Sequence, residues 1–412
     1  MTSPVEEAFG RCWPQVVAAT VRLTRDLDLA EDCAQDAFEK ATRTWADRPP
    51  DNPAAWLTTT ARNLAVDRIR REATLRRKLP LLVMEQSAGP DDGGHDLLRL
   101  LFVCCHPALS TDARLALTLR LLGGLTVPEI AEGLLVKETA VAARITRAKQ
   151  KIAAAHLPFS VPPHHELTPR LDTVLAVIYL IHTSGHSAPL GDRIVRPDLA
   201  AKARELAELL CDLMPQEAEA WGLLALCLLD DARADVRADA AAGLVLLPDQ
   251  DRSRWDGRLL AEGLSAATRA LRLGTEAGLG RYTLQAAISG LHSRAPDAAS
   301  TDWAAVLTMY DGLYACWPTP IVALNRAAAR SLAPGADLTV VLAELDALAA
   351  DPALRHYRYL PATRADVLRR LGRLPEAALA YAEALRLTDN TVERRFLRRR
   401  LDKCTTVPRE TT

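Results

Sequence analysis

The 412-residue sequence lacks the marks of several protein classes. No apolar run approaches the roughly 18 residues of a membrane span. The N-terminus has no basic stretch followed by an apolar one, as a signal peptide would. The eight cysteines form no CxxC pair, and free thiols are typical of intracellular proteins. We therefore expect a cytoplasmic protein.

Catalytic and strand-forming patterns are missing as well. There is no P-loop, no glycine-rich fingerprint after a strand and no HExxH sequence, so we predict neither an enzyme nor a cofactor site. His182 and His186 have the i, i+4 spacing of two metal ligands, but the neighbouring sequence holds no acidic third ligand, and we predict no metal site. Alternating β-branched runs are absent, while Ala, Leu and Arg abound, which predicts an all-α fold.

The charge is unevenly distributed although the formal net charge is only −1. Residues 26–39 hold six acidic and no basic residues. Residues 62–78 hold seven basic against two acidic residues, and residues 137–151 hold five against one. Two basic patches and one acidic patch within 150 residues indicate three surfaces with different partners.

The acidic segment reads as a helix from Leu29 to about Trp45, with Asp28 as its N-cap. Small and aromatic residues face inward, and the outer edge is acidic. Carboxylates in a first helical turn complement the helix dipole. This effect accounts less well for Asp36 and Glu39, which lie in later turns. A protein-docking face is the alternative explanation for these two acidic residues.

The segment Asn52–Arg71 reads as a helix with two different faces. Pro53 suits its first turn. One face holds the apolar residues Leu57, Ala61, Leu64 and Ala65. The other combines an aromatic ring, hydrogen-bonding groups and cations (Trp56, Thr59, Asn63, Asp67 and Arg70), which is what single-stranded nucleic acid needs. A solvated basic helix is the simpler alternative.

Residues 97–156 predict a second helical unit that contains a helix-turn-helix. Thr126 and Glu129 form a capping box around Pro128. A longer helix from about Lys137 has a core stripe of Val141, Ile145, Ala148 and Ile152. An ordinary helical hairpin is the alternative to a helix that enters the major groove.

Two linkers and a long tail complete the predicted organisation. Residues 81–96 read as a flexible acidic linker and residues 157–168 as a Pro-rich one. Residues 169–412 are predicted helical. Within residues 356–390, the small, large and aromatic residues occupy the positions of a tetratricopeptide repeat (Ala365, Leu368, Gly372, Ala377, Tyr381 and Ala384).

The order of these segments resembles a bacterial RNA polymerase sigma factor of the extracytoplasmic-function class. The resemblance covers roughly residues 5–155. It is carried by Ala30-Glu31-Asp32 with Gln35, Asp36 and Phe38, by Pro53, Trp56-Leu57, Ala61-Arg62-Asn63, Asp67 and Arg70-Arg71, and by Glu129-Ile130-Ala131 with Val141, Arg144 and Arg147-Ala148. It implies two small helical sigma domains, region 2 at residues 1–80 and region 4 at residues 97–156.

The resemblance also implies partners and contact residues. Core RNA polymerase would contact Glu31, Asp32, Gln35, Asp36 and Glu39. The −10 promoter element would contact Trp56, Thr59, Arg62, Asn63, Asp67, Arg68, Arg70 and Arg71. The −35 element would contact Lys137, Thr139, Ala143, Arg144, Thr146, Arg147, Gln150 and Lys151. Ala142 and Ala143 stand where the family often carries a basic residue and a serine, and alanine can meet a thymine methyl but cannot hydrogen-bond a base edge.

The tail resembles the helical, tetratricopeptide-like extension of one sigma subgroup. It departs from that pattern at His182-Thr183-Ser184 and His186. The resemblance implies that the tail regulates the activity of the sigma domains. We also expect an intramolecular contact between the tail and the sigma domains, and a protein or a small molecule is the candidate ligand of the tail. A helix-turn-helix repressor or activator with a sensing tail, and a tetratricopeptide scaffold, are the alternative functions.

Overall fold

The computed structural model describes residues 4–45, 49–75, 93–134, 136–186, 195, 197–239 and 243–405. It divides into two compact units, Met1–Ile181 and His182–Thr412. The all-α prediction is confirmed. Apart from helices and turns, these residues form only the two-residue strands β1 (Ala238–Asp239) and β2 (Gly243–Leu244), which pair antiparallel.

The first unit begins with three mutually packed helices, α1 (Pro4–Thr24), α2 (Leu27–Thr44) and α3 (Pro53–Leu75). The predicted N-cap of α2 is wrong. Asp26, in extended conformation, accepts hydrogen bonds from the amides of Asp28 and Leu29, so α2 begins two residues earlier than predicted. Local spacing could not separate two aspartates that are both followed by helix-forming residues.

Four further helices follow, namely α4 (Gly93–Cys104), α5 (Thr111–Leu121), α6 (Val127–Leu134) and α7 (Glu138–Ala154). The capping box is present, since Glu129 accepts from the Thr126 amide at 2.8 Å. All four residues of the predicted α7 stripe are buried. Helices α6 and α7 are the two helices of the helix-turn-helix.

Both predicted linkers are shorter than the sequence indicated. Residues 81–92 lie outside the described residues, but residues 93–96 belong to α4. Asp96 there is buried and pairs with Arg22 and Arg99. Helix α8 (His164–His186) begins inside the predicted Pro-rich linker. Pro and Gly marked each break, but the local composition did not show at which residue the next helix starts.

Among its described residues, the second unit contains the end of α8 and ten helices, each of which packs on the next one along the chain. These are α9 (Pro197–Leu213), α10 (Ala218–Asp231), α11 (Gly257–Ala277), α12 (Arg281–Arg294), α13 (Trp303–Cys316), α14 (Pro320–Leu332), α15 (Leu338–Leu348), α16 (Tyr359–Arg370), α17 (Leu374–Arg386) and α18 (Thr391–Thr405), with short 3-10 turns at Ala234–Val236, Leu247–Asp249, Arg252–Arg254 and Pro352–Leu354. Packing between sequence neighbours is typical of repeat arrays.

The predicted repeat positions fall on the α16–α17 hairpin. Ala365, Ala377 and Ala384 are fully buried between the helices, and Tyr381 is buried with them. Gly372 joins the two helices with a φ of 76°, a conformation that favours glycine. The small residues therefore allow the two helices of the hairpin to pack closely.

Candidate nucleic-acid and polymerase interface

The two predicted faces of α3 are present. Leu57, Ala61 and Ala65 are fully buried, and Leu64 is half-buried. Thr59, Asn63, Asp67, Arg70 and Arg71 are exposed on the other face, and Arg62 is half-buried. An apolar face against the core thus leaves a polar surface that another molecule can reach.

Trp56 is held at the start of this polar surface. Its ring meets that of the buried Trp45 edge-to-face, with centroids 5.3 Å apart. Asn52 caps the helix just before it, where its side chain accepts a hydrogen bond from the Ala55 amide at 3.0 Å. The half-buried Trp56 ring is therefore fixed on one side and open on the other.

Arg68, which was predicted to contact the −10 element, pairs with two carboxylates of α2. Its guanidinium pairs with Asp36 at 2.5 Å and with Asp32 at 3.6 Å, both on α2. A phosphate would have to compete with these two carboxylates. Arg68 therefore links α2 to α3, and it joins two groups of site residues that the sequence had kept apart.

The predicted reading face of α7 is solvent-exposed. Seven of the eight residues assigned to the −35 element are exposed, namely Lys137, Thr139, Ala143, Thr146, Arg147, Gln150 and Lys151. Arg144 is the exception. It is half-buried and pairs with Asp112 on α5 at 2.9 Å.

The acidic edge of α2 is not uniform. Asp32, Gln35 and Glu39 are exposed and Asp36 is half-buried. Glu31 is buried, with only 6% of its surface exposed. Its two cationic partners are residues far away in the sequence.

Glu31 forms a buried ion cluster with the second helical group. Arg120 on α5 donates to one carboxylate oxygen at 2.6 Å, and Lys149 on α7 donates to the other at 2.6 Å. Lys149 also reaches Asp28 at 2.8 Å. Burial alone would lower the pKa of Lys149, but the two carboxylates outweigh it and raise this pKa above its usual value. We call Glu31, Arg120 and Lys149 the α2–α7 latch.

Aromatic packing surrounds the latch. The indole of Trp13 on α1 donates to the carbonyl of Arg120 at 3.3 Å and lies under its guanidinium. Gly124, with a φ of 69°, brings the backbone so close that an added Cβ would lie 3.2 Å from the Trp13 ring. The latch therefore belongs to a packed contact between α1–α2 and α5–α7.

Sequence reasoning missed Arg120 and Lys149. Arg120 lies on a helix with no charge pattern of its own. Lys149 was counted in a basic patch, although it follows Ile145 by four residues and precedes Ile152 by three, which places it next to the buried stripe of α7. Both histidines of α8 also have a carboxylate neighbour, Asp230 on α10, at 3.0 Å and 3.7 Å. We predicted no metal site because the neighbouring sequence holds no acidic ligand, but Asp230 brings a carboxylate to both histidines from a distant helix.

Comparison with known families agrees with this architecture. Residues 9–74 match the model of sigma-70 region 2, and residues 99–152 match that of sigma-70 region 4. Residues 170–271 match a family of unknown function. No solved structure matches the chain. No helix among the described residues is long and apolar enough to cross a membrane.

One curated relative aligns along almost the whole chain. It is an uncharacterized protein of Rhizobium meliloti (strain 1021), 38% identical over 418 residues, which cover 99% of this chain and 97% of that protein. The two sigma-70 regions define the class of protein, an RNA polymerase sigma factor that directs promoter recognition for transcription initiation. The chain belongs to one family with the Rhizobium protein.

Proposed function

We propose that this protein is a sigma factor of the extracytoplasmic-function class, which acts in the cytoplasm with core RNA polymerase and is controlled by its own C-terminal helical unit. The observation that carries the proposal is the pair of exposed polar faces on α3 and α7, each opposite a buried apolar stripe. Run-off transcription with core polymerase tests it. A helix-turn-helix repressor would neither bind core polymerase nor support initiation.

The α3 face would hold the opened −10 element. Trp56 is open on one side for stacking with an unpaired base, and Asn63 lies two turns further along the helix. Arg62, Arg70 and Arg71 would contact phosphates, which positions the strand without reading it. Arg68 would do so only after leaving Asp32 and Asp36.

The exposed face of α7 would read the −35 element in the major groove. Ala143 would contact a thymine methyl, while Arg147 and Gln150 can hydrogen-bond base edges. Arg147→Ala should relax the preference at one base pair, whereas Lys151→Ala should weaken all sequences alike and reduce the salt dependence of binding. Equal changes in both variants would contradict this division of roles.

The acidic edge of α2 would dock on core polymerase through Asp32, Gln35, Asp36 and Glu39, with Glu31 joining after the latch opens. Both Glu31 oxygens are occupied by Arg120 and Lys149. Because Glu31 is also buried, with 6% of its surface exposed, an external partner cannot reach this carboxylate while the latch is closed. We therefore propose that the described arrangement of the first unit is a resting form, which separates when polymerase binds.

The acidic segment before α4 would follow the RNA path of the polymerase, with carboxylates in the place of RNA phosphates. Shortening residues 89–92 should impair initiation more than promoter binding. Residues 93–96 are best left intact, because the buried Asp96 pairs with Arg22 on α1. Equal losses of initiation and promoter binding would refute this role.

The C-terminal unit would act as the regulator, through a tetratricopeptide-like stack of helices. Truncation after His186 is the appropriate test. A cut before residue 170 would remove Arg170, whose guanidinium packs on the Phe102 ring and donates to the Phe102 carbonyl. Increased promoter-specific transcription would show inhibition by the tail, and lost transcription would show that the tail is required. Unchanged transcription would refute a regulatory tail.

A further inference from the structure

Three side chains with metal-binding atoms meet in the second unit, outside the residues that match the sigma-70 regions. His182 and His186 lie one turn apart on α8, with stacked rings 5.4 Å apart. Asp230 comes from α10, and its Oδ2 lies 3.0 Å from Nε2 of His182 and 3.7 Å from Nε2 of His186. One ligand atom from each residue fits within 4.8 Å of the others.

We propose that His182, His186 and Asp230 form a binding site for one divalent transition-metal ion, with Zn²⁺ as the best match. Two imidazoles and one carboxylate are a familiar zinc donor set, and three protein ligands leave one position open. With bonds of about 2.0–2.1 Å, tetrahedral donors lie roughly 3.3 Å apart. The two observed separations to Asp230 bracket this value. The three ligand atoms lie within 4.8 Å of one another, so metal binding would draw the two imidazoles closer together.

The surrounding contacts hold the three ligands in place. Arg233 pairs with Oδ1 of Asp230, which directs Oδ2 at the histidines. Arg237 donates to the backbone carbonyl of His186. Between the histidines, Gly185 lets α9 approach so closely that an added Cβ would lie 2.6 Å from the Ala200 amide. The last turn of α8 is therefore fixed by its neighbours.

The second nitrogen of His182 supports a ligand at Nε2. Nδ1 is buried and has no hydrogen-bond partner. The fully buried Cys227, one turn before Asp230 on α10, lies close enough to interact with the ring. With a metal ion at Nε2, the ring proton sits at Nδ1 and faces this sulfur, a weak acceptor. Cys227 would then orient the ring without binding the ion.

A hydrogen-bonded ion cluster without metal is the competing explanation. It accounts for the contact of His182 with Asp230, and Cys227 lies beside the ring in either case. It does not account for the second imidazole beside the same carboxylate oxygen. Arg233 and Arg237 oppose a cation, so the site should bind more weakly than a closed four-ligand zinc site. The two explanations differ in whether the protein binds one metal ion through these three residues.

The decisive experiment is a Zn²⁺ titration of the full-length, tag-free protein against a chromophoric chelator. Cys316→Ser and Cys404→Ser form the background, since these two thiols are the least buried of the eight. We expect one ion per chain. His186→Gln and Asp230→Asn should each lower the affinity by about 100-fold or more, beyond the 10–100-fold typical of outer-shell changes. His292→Gln removes another partly buried histidine of the same unit as a matched control, and its affinity should stay at the background level.

Each outcome decides between the two explanations. The proposal is overturned if the background protein shows no saturable Zn²⁺ binding. It is also overturned if His186→Gln and Asp230→Asn bind Zn²⁺ with the affinity of the background protein. Co²⁺ should give tetrahedral absorption bands without a sulfur-to-metal charge-transfer band, and such a band would overturn the assignment of Cys227. Circular dichroism of each variant confirms that lost binding is not lost folding.

Discussion

Replacement of Lys149 by methionine tests whether the latch competes with polymerase. Methionine keeps much of the buried stem but removes the ammonium, so Glu31 loses one of its two cationic partners while Arg120 remains. A hydrogen bond to a charged group contributes about 1.5–3 kcal/mol, and a buried oxygen without a partner costs a similar amount. The bond to Asp28 adds little, because that side chain is 70% exposed.

We therefore expect Lys149→Met to weaken the closed form by about 2–3 kcal/mol, or roughly 30- to 150-fold in the opening equilibrium. If the closed form dominates, the apparent dissociation constant for core polymerase falls by up to the same factor, because the competent fraction rises. Fluorescence titration with core polymerase, without DNA, measures this constant.

Lys151→Met is the matched control, since it removes an exposed lysine from the same helix outside the latch. Lys149→Arg should retain most of the latch and bind polymerase nearly as the unsubstituted protein does. The competition argument is refuted if Lys149→Met binds core polymerase no better than Lys151→Met.

Three further predictions address promoter opening, pH dependence and helix packing. Trp56→Ala should lower open-complex stability by about 1–3 kcal/mol, the contribution of one stacked base, and Asn63→Ala should act in the same direction. Polymerase affinity should not change, and a fall in that affinity instead would show that this face is misassigned. Burial, together with Arg233 and Arg252, lowers the pKa of His292 from 6.5 to about 4. The unfolded chain therefore takes up this proton at a higher pH than the folded chain, so the stability from neutral His292 is present above pH 6.5 and lost as pH falls towards 4. The loss is at most about 3 kcal/mol. Urea unfolding between pH 7 and 4 should show a weaker pH dependence in His292→Gln, and identical profiles would contradict the assignment. Gly222→Ala should destabilise the second unit by about 1–3 kcal/mol, since an added Cβ would lie 2.6 Å from the Thr283 amide. Gly257→Ala, with nothing within 4 Å, should be neutral or stabilise by roughly 0.4–1 kcal/mol; equal denaturation midpoints for the two variants would refute the steric reasoning.

The sequence predicted best what depends on local spacing. The α7 stripe and the capping box of Thr126 and Glu129 follow from periods of three and four residues, and both are present. The helix-turn-helix interpretation rested on these local features, and the match to sigma-70 region 4 supports it.

Pairings between distant residues could not be predicted in this way. Glu31 and Lys149 are 118 positions apart, and His182 and Asp230 are 48 apart. No periodicity relates such residues, because their meeting depends on how whole helices pack. Exposure of Glu31 was assumed from its acidic neighbours, but a carboxylate next to an apolar stripe can equally be a buried partner for a cation.

The position of Lys149 on α7 separates the contact with Glu31 from the face proposed to read promoter DNA. It lies beside Ile145 and Ile152, on the side of the helix away from Arg147 and Gln150. Residues on the exposed face can therefore be exchanged without disturbing the contact with Glu31. On the proposed roles, substitutions at the exposed face would change the promoter preference and leave the latch intact. Substitutions at Lys149 would change how readily the latch opens and leave the promoter preference intact.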